Sequence, residues 1–176
     1  MSDEKPWEPP AIPAEQFHLP DQWTNINRAP HDVISGVIYK PALNIKSVRY
    51  EPLDAAPDMP EMWQGQGGAI VRWLFSESPG TEERIMTGAE FLFLQDIMLD
   101  PAASGGQRRH PGEDHLLYVI SGEGTLYHRA CLGCPVVSRS LRVGDAALVQ
   151  DGEFYNIENH LDDAPFRVLL VGFRKS

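Results

Sequence analysis

The chain has 176 residues, 42% of them apolar, and carries a formal net charge of −10. That length suits one domain with a single substantial core, and the acidic balance argues against nucleic acid or an anionic membrane surface as partner, because both repel excess negative charge. No apolar run approaches the roughly 20 residues a membrane helix requires, and the opening Met1-Ser2-Asp3-Glu4-Lys5-Pro6 lacks the basic-then-apolar order of a secretory signal, so a cytoplasmic protein is expected.

Ten of the fifteen prolines fall within the first sixty residues, and from Met1 to about Pro30 they interrupt every periodicity. Proline fixes φ and removes a donor, so residues 1–35 read as an extended arm or loop. Trp7, Phe17, Leu19 and Trp23 are costly to leave in water. The arm is therefore expected to lie along the main domain or across a partner subunit.

Residues 36–176 read as one nearly all-β domain. Val37–Tyr39, Lys46–Tyr50, Ala69–Phe75 and Phe91–Leu99 are β-branched or aromatic runs bounded by Gly, Pro or Asp. His115–Ile120, Thr125–His128, Ser138–Arg142, Ala146–Val149, Phe154–Glu158 and Arg167–Phe173 continue the series. Strands this closely spaced, with turn residues between them, predict a sandwich or barrel rather than alternating β and α. The sole helical expectation is one short turn within Asp58–Gln64. Cys131 and Cys134, in Cys-Leu-Gly-Cys-Pro, are half a zinc site at best, since structural zinc takes four ligands. They read as a glycine-containing loop between strands that carries two thiols. His18, His31 and His160 read as surface or loop residues, and His128 as packed on a strand.

Two segments concentrate chemistry. The first is Arg108-Arg109-His110-Pro111-Gly112-Glu113-Asp114-His115-Leu116-Leu117-Tyr118-Val119-Ile120-Ser121-Gly122-Glu123-Gly124, with two imidazoles and a carboxylate at the mouth of an apolar strand ending in a glycine turn. The second runs from Gly144-Asp145 through Gly152-Glu153-Phe154-Tyr155 to Asn159. Together they resemble the two signature motifs of the cupin family, over roughly Phe91 to Phe173. The first motif, G-x5-H-x-H-x3–4-E-x6-G, aligns from Gly122 backwards. His115 then holds the glutamate position, His110 the second histidine and Arg108 the first. The second motif, G-x5-P-x-G-x2-H-x3-N, matches every spacing from Gly144 through Gly152 to Asn159, with Gln150 for its proline and Tyr155 for its histidine.

The resemblance implies a cupin-type double-stranded β-helix, a jelly-roll barrel, with the proline-rich arm appended. In the family the motif ligands converge on one divalent metal. Carried over by position, they become Arg108, His110, His115 and Tyr155. Two imidazoles and a phenolate suit a first-row ion: iron first, with zinc, nickel, manganese or copper as alternatives. Guanidinium has no lone pair to give, so Arg108, with Arg109 beside it, is expected to clamp a substrate carboxylate or phosphate. Glu113, two residues before His115, shares its face if the strand already runs there. It would then complete a two-histidine, one-carboxylate set suited to oxygen-using iron, although the Pro111-Gly112 step leaves that parity open.

Two readings follow. In one, a metal-dependent enzyme of dioxygenase, lyase or isomerase type acts on a small anionic molecule, with Tyr155 or Glu113 moving the proton. In the other, a non-catalytic barrel binds or senses a small ligand, with or without metal. By analogy with single-barrel relatives, a homodimer is expected.

Overall fold

The computed structural model describes residues 45–50, 60–76 and 90–175, together with the backbone of three short strands before them. Trp7, Phe17, Leu19, Trp23, His18 and His31 lie outside the described residues. The strands in chain order are β1 (Ile12–Pro13), β2 (Asp32–Ile34), β3 (Val37–Tyr39), β4 (Lys46–Tyr50), β5 (Gly65–Gln66), β6 (Ala69–Ser76), β7 (Phe91–Leu99), β8 (Ser104–Gly105), β9 (Arg108–Arg109), β10 (Glu113–Ser121), β11 (Glu123–Arg129), β12 (Val137–Arg142), β13 (Ala146–Val149), β14 (Phe154–Asn159) and β15 (Phe166–Arg174). The helical turn expected within Asp58–Gln64 is a single 3-10 turn, Glu61–Trp63, which buries Trp63.

Two sheets face each other. One has seven strands in the order β1-β4-β6-β7-β15-β10-β13; the other has β12-β11-β14-β8-β5, with β9 paired to β14. Neighbours are antiparallel except β1, whose Ile12 and Pro13 pair in parallel with Val48 and Arg49 at the edge of the larger sheet. Strands β2 and β3 pair with each other, antiparallel. The all-β expectation holds because the pattern has a period of two. In β15, Phe166, Val168 and Leu170 are buried while Arg167, Leu169 and Val171 between them are partly exposed, so one side chain in two enters the core.

The motif glycines and asparagine shape the barrel ends. Gly122 turns β10 into β11 at φ +82°, a conformation that disfavours a side chain. At Gly124 a Cβ would lie 2.4 Å from the Glu158 carbonyl oxygen and 2.7 Å from the Phe166 ring, so the missing side chain is what lets Phe166 seat at 0% exposure. Asn159, 1% exposed, donates from Nδ2 to the carbonyls of Asp100 (2.8 Å), Ala164 (2.9 Å) and Leu99 (3.4 Å), and its Oδ1 accepts from the Leu161 N–H at 2.9 Å. One amide thereby ties together the end of β7 and the β14–β15 connection.

On the outer face of the larger sheet, buried Asp96 is held by Arg167 at 2.7 Å through both Nε and Nη2, and by Arg72 Nη1 at 3.1 Å. The expectation of two thiols is corrected: Cys131 and Cys134 are joined by a disulfide in the β11–β12 turn. A separation of three residues lets one reverse turn, with Cys134 N–H on the Cys131 carbonyl, bring the sulfurs together. No helix among the described residues is long and apolar enough to cross a membrane.

Candidate metal centre

Cross-strand register sets the site. His115, Gly172 and Phe93 pair across β10, β15 and β7. A Cβ on Gly172 would sit 2.5 Å from the Phe93 ring. Glycine there lets that ring lie over β15 and meet the His115 imidazole edge-on at 5.4 Å between centroids. From the opposite sheet, Arg108 pairs with Tyr155, so both inward side chains of that pair face His115. All of these residues except Gly172 line a cavity of about 430 Å³ inside the barrel.

Strand β10 begins at Glu113, so Glu113 and His115 stand on one face, and the parity left open in the sequence resolves in favour of the carboxylate. The turn before it closes with the Glu113 N–H on the His110 carbonyl at 3.3 Å, and Gly112 takes φ +83°. This reversal lays the His110 ring against His115, 4.4 Å between centroids. Glu113 Oε2 lies 3.0 Å from His115 Nε2 and 3.7 Å from His110 Nδ1. Ligand atoms of His110, Glu113 and His115 all fall within 4.8 Å of one another.

The second ring nitrogen of His115, Nδ1, meets the Tyr155 hydroxyl at 2.9 Å. Ligation of an ion through Nε2 would put the ring proton on Nδ1, which then donates to the Tyr155 oxygen; without an ion, Nε2–H donates to Glu113 instead. Tyr155 therefore touches the cluster through His115. Its hydroxyl plays the part that outer partners of ligating imidazoles play, fixing ring orientation and tautomer.

Burial dominates the protonation states. It lowers His110 to about 4, helped by the neighbouring His115 and Arg108 and opposed by Glu113. It also lowers His115, although the hydrogen bond and charge of Glu113 pull the other way. Both rings are thus neutral at pH 7, the form that carries a lone pair for a metal. Burial pushes Tyr155 up to about 12, against the pull of Arg108, so its phenol keeps its proton. Neutral imidazoles and one carboxylate form a donor set that a divalent transition metal fits.

The Arg108 side chain makes no hydrogen bond or ion pair with any described residue, and its guanidinium faces the cavity. Arg109 does not reach that cavity. Consecutive strand residues face opposite sides, and Arg109 lies outside the barrel, donating from Nε to the Gly152 carbonyl at 3.0 Å and covering the Phe154 ring at 5.1 Å. His160 is exposed and meets Thr125; His128 stands on β11 with a buried Nδ1.

Among the other lining residues, sequence reasoning did not single out Tyr50, Trp73 and Gln95. A signal existed for the last of these. Gln95 and Asp96 are adjacent polar residues in an apolar strand, so one had to face inward.

Residues 95–172 match the family model described as Cupin domain. A predicted oxalate decarboxylase from Thermotoga maritima shares the fold with a TM-score of 0.53 and 22% identity, over 66% of this chain and 89% of that one. The Drosophila melanogaster CENP-C cupin domain aligns with a TM-score of 0.50 and 18% identity, over 84% of this chain and 85% of the other. At such identities the likeness is one of architecture. No curated protein matches the sequence.

Proposed function

We propose that the barrel, whose residues 95–172 match the Cupin domain model, is a metal-dependent enzyme acting on a small anionic organic molecule, with dioxygenase chemistry ahead of lyase or isomerase chemistry. The observation that carries the reading is the convergence of His110, Glu113 and His115 within 4.8 Å on the wall of an apolar cavity. His110 and His115 would hold the ion through neutral nitrogens and Glu113 through a carboxylate oxygen, and iron suits that set best. The ion, when bound, would supply Lewis-acid or oxygen-activating chemistry.

The chain's own groups do the remainder. Arg108 holds the acid group of the substrate in a fork of N–H donors. Tyr155, its proton retained by burial, keeps the His115 ring in place and offers an O–H at the cavity wall. Arg109, outside the cavity, would serve only the approach of an anion.

A second reading, a non-catalytic ligand-binding barrel, draws support from one contact. Glu113 already satisfies His115 Nε2 at 3.0 Å, so the cluster closes on itself without an ion. A homodimer through an edge strand belongs to this proposal, supported by β13, which ends the larger sheet and leaves Leu148 at 55% exposure. So does a cytoplasmic location, against which the Cys131–Cys134 disulfide weighs, because cytosolic disulfides are mainly transient or redox-sensing.

Oxygen uptake decides between the readings. The chain loaded with Fe(II) under nitrogen, then exposed to air with a panel of organic acids, is expected to consume oxygen with at least one acid and to lose that uptake in His110→Ala. Uptake equal to free Fe(II) for every acid, with no acid converted to a lyase or isomerase product, contradicts the enzymatic reading.

A further inference from the structure

We propose that the barrel selects an amphipathic monoanion, a single carboxylate on an apolar or aromatic body that carries one hydrogen-bonding group, rather than a small dianion. This deepens the reading of the barrel as a ligand site and rests on it.

The cavity is polar at one end only. Arg108, His110, Glu113, His115 and Tyr155 gather there, and Arg108 is the single cation among the described lining residues. Below them the inward rows turn apolar. Leu117, Leu170, Gln95 and Trp73 are paired in sequence across four strands, one step beyond the His115 row, and Val168, Ile97 and Val71 form the next. Carboxylate recognition by the unpaired guanidinium therefore leaves the remainder of a ligand against hydrocarbon and indole. A second charge placed there would be desolvated without a partner, which the site cannot offset. A ligand of two or three carbons would leave most of 430 Å³ unfilled by contacts, and binding energy in such pockets comes chiefly from buried apolar surface.

Gln95 breaks the apolar rows. It is 9% exposed, lines the cavity, and its amide has no hydrogen-bond partner among the described residues. Its amide lines the cavity, where a ligand hydroxyl, amide or carbonyl at that depth can pair with it. Gln95 is thus a specificity-determining residue for the body of the ligand, as Arg108 is for its head. Discrimination follows the same logic, since a site built around a buried polar group rejects analogues that leave it unpaired.

Calorimetric titration of the full chain, with and without added Mn(II), tests this with benzoate, the three hydroxybenzoates, hexanoate, benzamide and oxalate as probes. Benzoate or hexanoate is expected to bind about tenfold or more tighter than oxalate and benzamide. One hydroxybenzoate isomer should bind tighter than benzoate, and Gln95→Leu should erase that preference. Arg108→Gln should weaken benzoate by about 30-fold or more. Oxalate or benzamide binding as tightly as benzoate overturns the proposal. Retention of Mn(II) with no binding of either monoacid also overturns it and leaves the metal site standing. Arg108-dependent binding of benzoate in a chain that retains no metal supports it, and the metal reading alone falls.

Discussion

Replacing His115 with alanine is expected to weaken metal binding by more than about 100-fold, since even outer partners of ligating imidazoles are worth about 10–100-fold. His115 is the pivot of the cluster. At 2% exposure it meets Glu113 through one nitrogen and Tyr155 through the other, and its ring packs against both His110 and Phe93. The barrel itself should survive, because the loss falls on one inward position whose row contains Gly172 and Phe93 and not the Phe166 end of the core. The unpaired Tyr155 hydroxyl left behind costs about 1–3 kcal/mol. Two companions separate the roles. Tyr155→Phe, which removes only the orienting hydroxyl, should weaken the ion by about 10–100-fold and not abolish it. Cys131→Ser should leave affinity unchanged, the disulfide being in the β11–β12 turn and not in the cavity lining. Competition with a chelating dye gives the affinities, and far-ultraviolet circular dichroism reports the fold. Equal metal affinity in His115→Ala and the parent chain would place the ion elsewhere.

The largest stability effect is expected at the far end of the barrel. Asn159→Asp keeps shape and volume but reverses the chemistry of three contacts, setting a carboxylate oxygen where Nδ2 now donates to Leu99, Asp100 and Ala164 carbonyls. Those carbonyls lose their donor, and a charge at a site of 1% exposure faces three acceptors. Truncating one partner of a buried polar network costs about 3–5 kcal/mol, and an unpaired buried charge belongs to the upper part of that range. For a domain of this size 1 kcal/mol shifts Tm by about 2–4 °C, so the variant should melt at least 10 °C or so lower. Asn159→Ala, which removes the donors without adding charge, should fall between the two. Thermal unfolding at neutral pH checks the order. An Asn159→Asp midpoint within a degree or two of the parent would mean that the amide does not fasten β7 to the β14–β15 connection.

How much was legible follows from where each residue sits. The glycines and Asn159 were readable because they answer backbone demands: Gly122 a positive φ, Gly124 a close approach by Phe166. Lys46–Tyr50, Phe91–Leu99 and Ala146–Val149 coincide with β4, β7 and β13, since alternation within long strands is a strong local signal. The two-residue strands β5, β8 and β9 were not readable, because single bridges depend on which distant strand lies beside them. That is why the two arginines were expected together. Only the pairing of β9 with β14 reveals that Arg108 follows Tyr155 inward while Arg109 follows Phe154 outward. Glu113 needed the turn at Gly112 to be known before its face was fixed. Gln95 lay outside both motifs, in a strand read only as apolar, and its role emerges from the cross-strand rows. The disulfide depended on a turn geometry that spacing alone does not specify.

The central claim is that His110, Glu113 and His115 form one metal-binding site. Its most direct test is elemental analysis of the untagged chain after equilibration with Fe(II), Mn(II), Zn(II), Ni(II) and Cu(II) in turn and removal of free ion. The account predicts about one ion per chain for at least one metal, and none in a chain carrying both His110→Ala and His115→Ala. A folded parent chain that retains no ion from any of the five, or a double variant that retains as much as the parent, would contradict it.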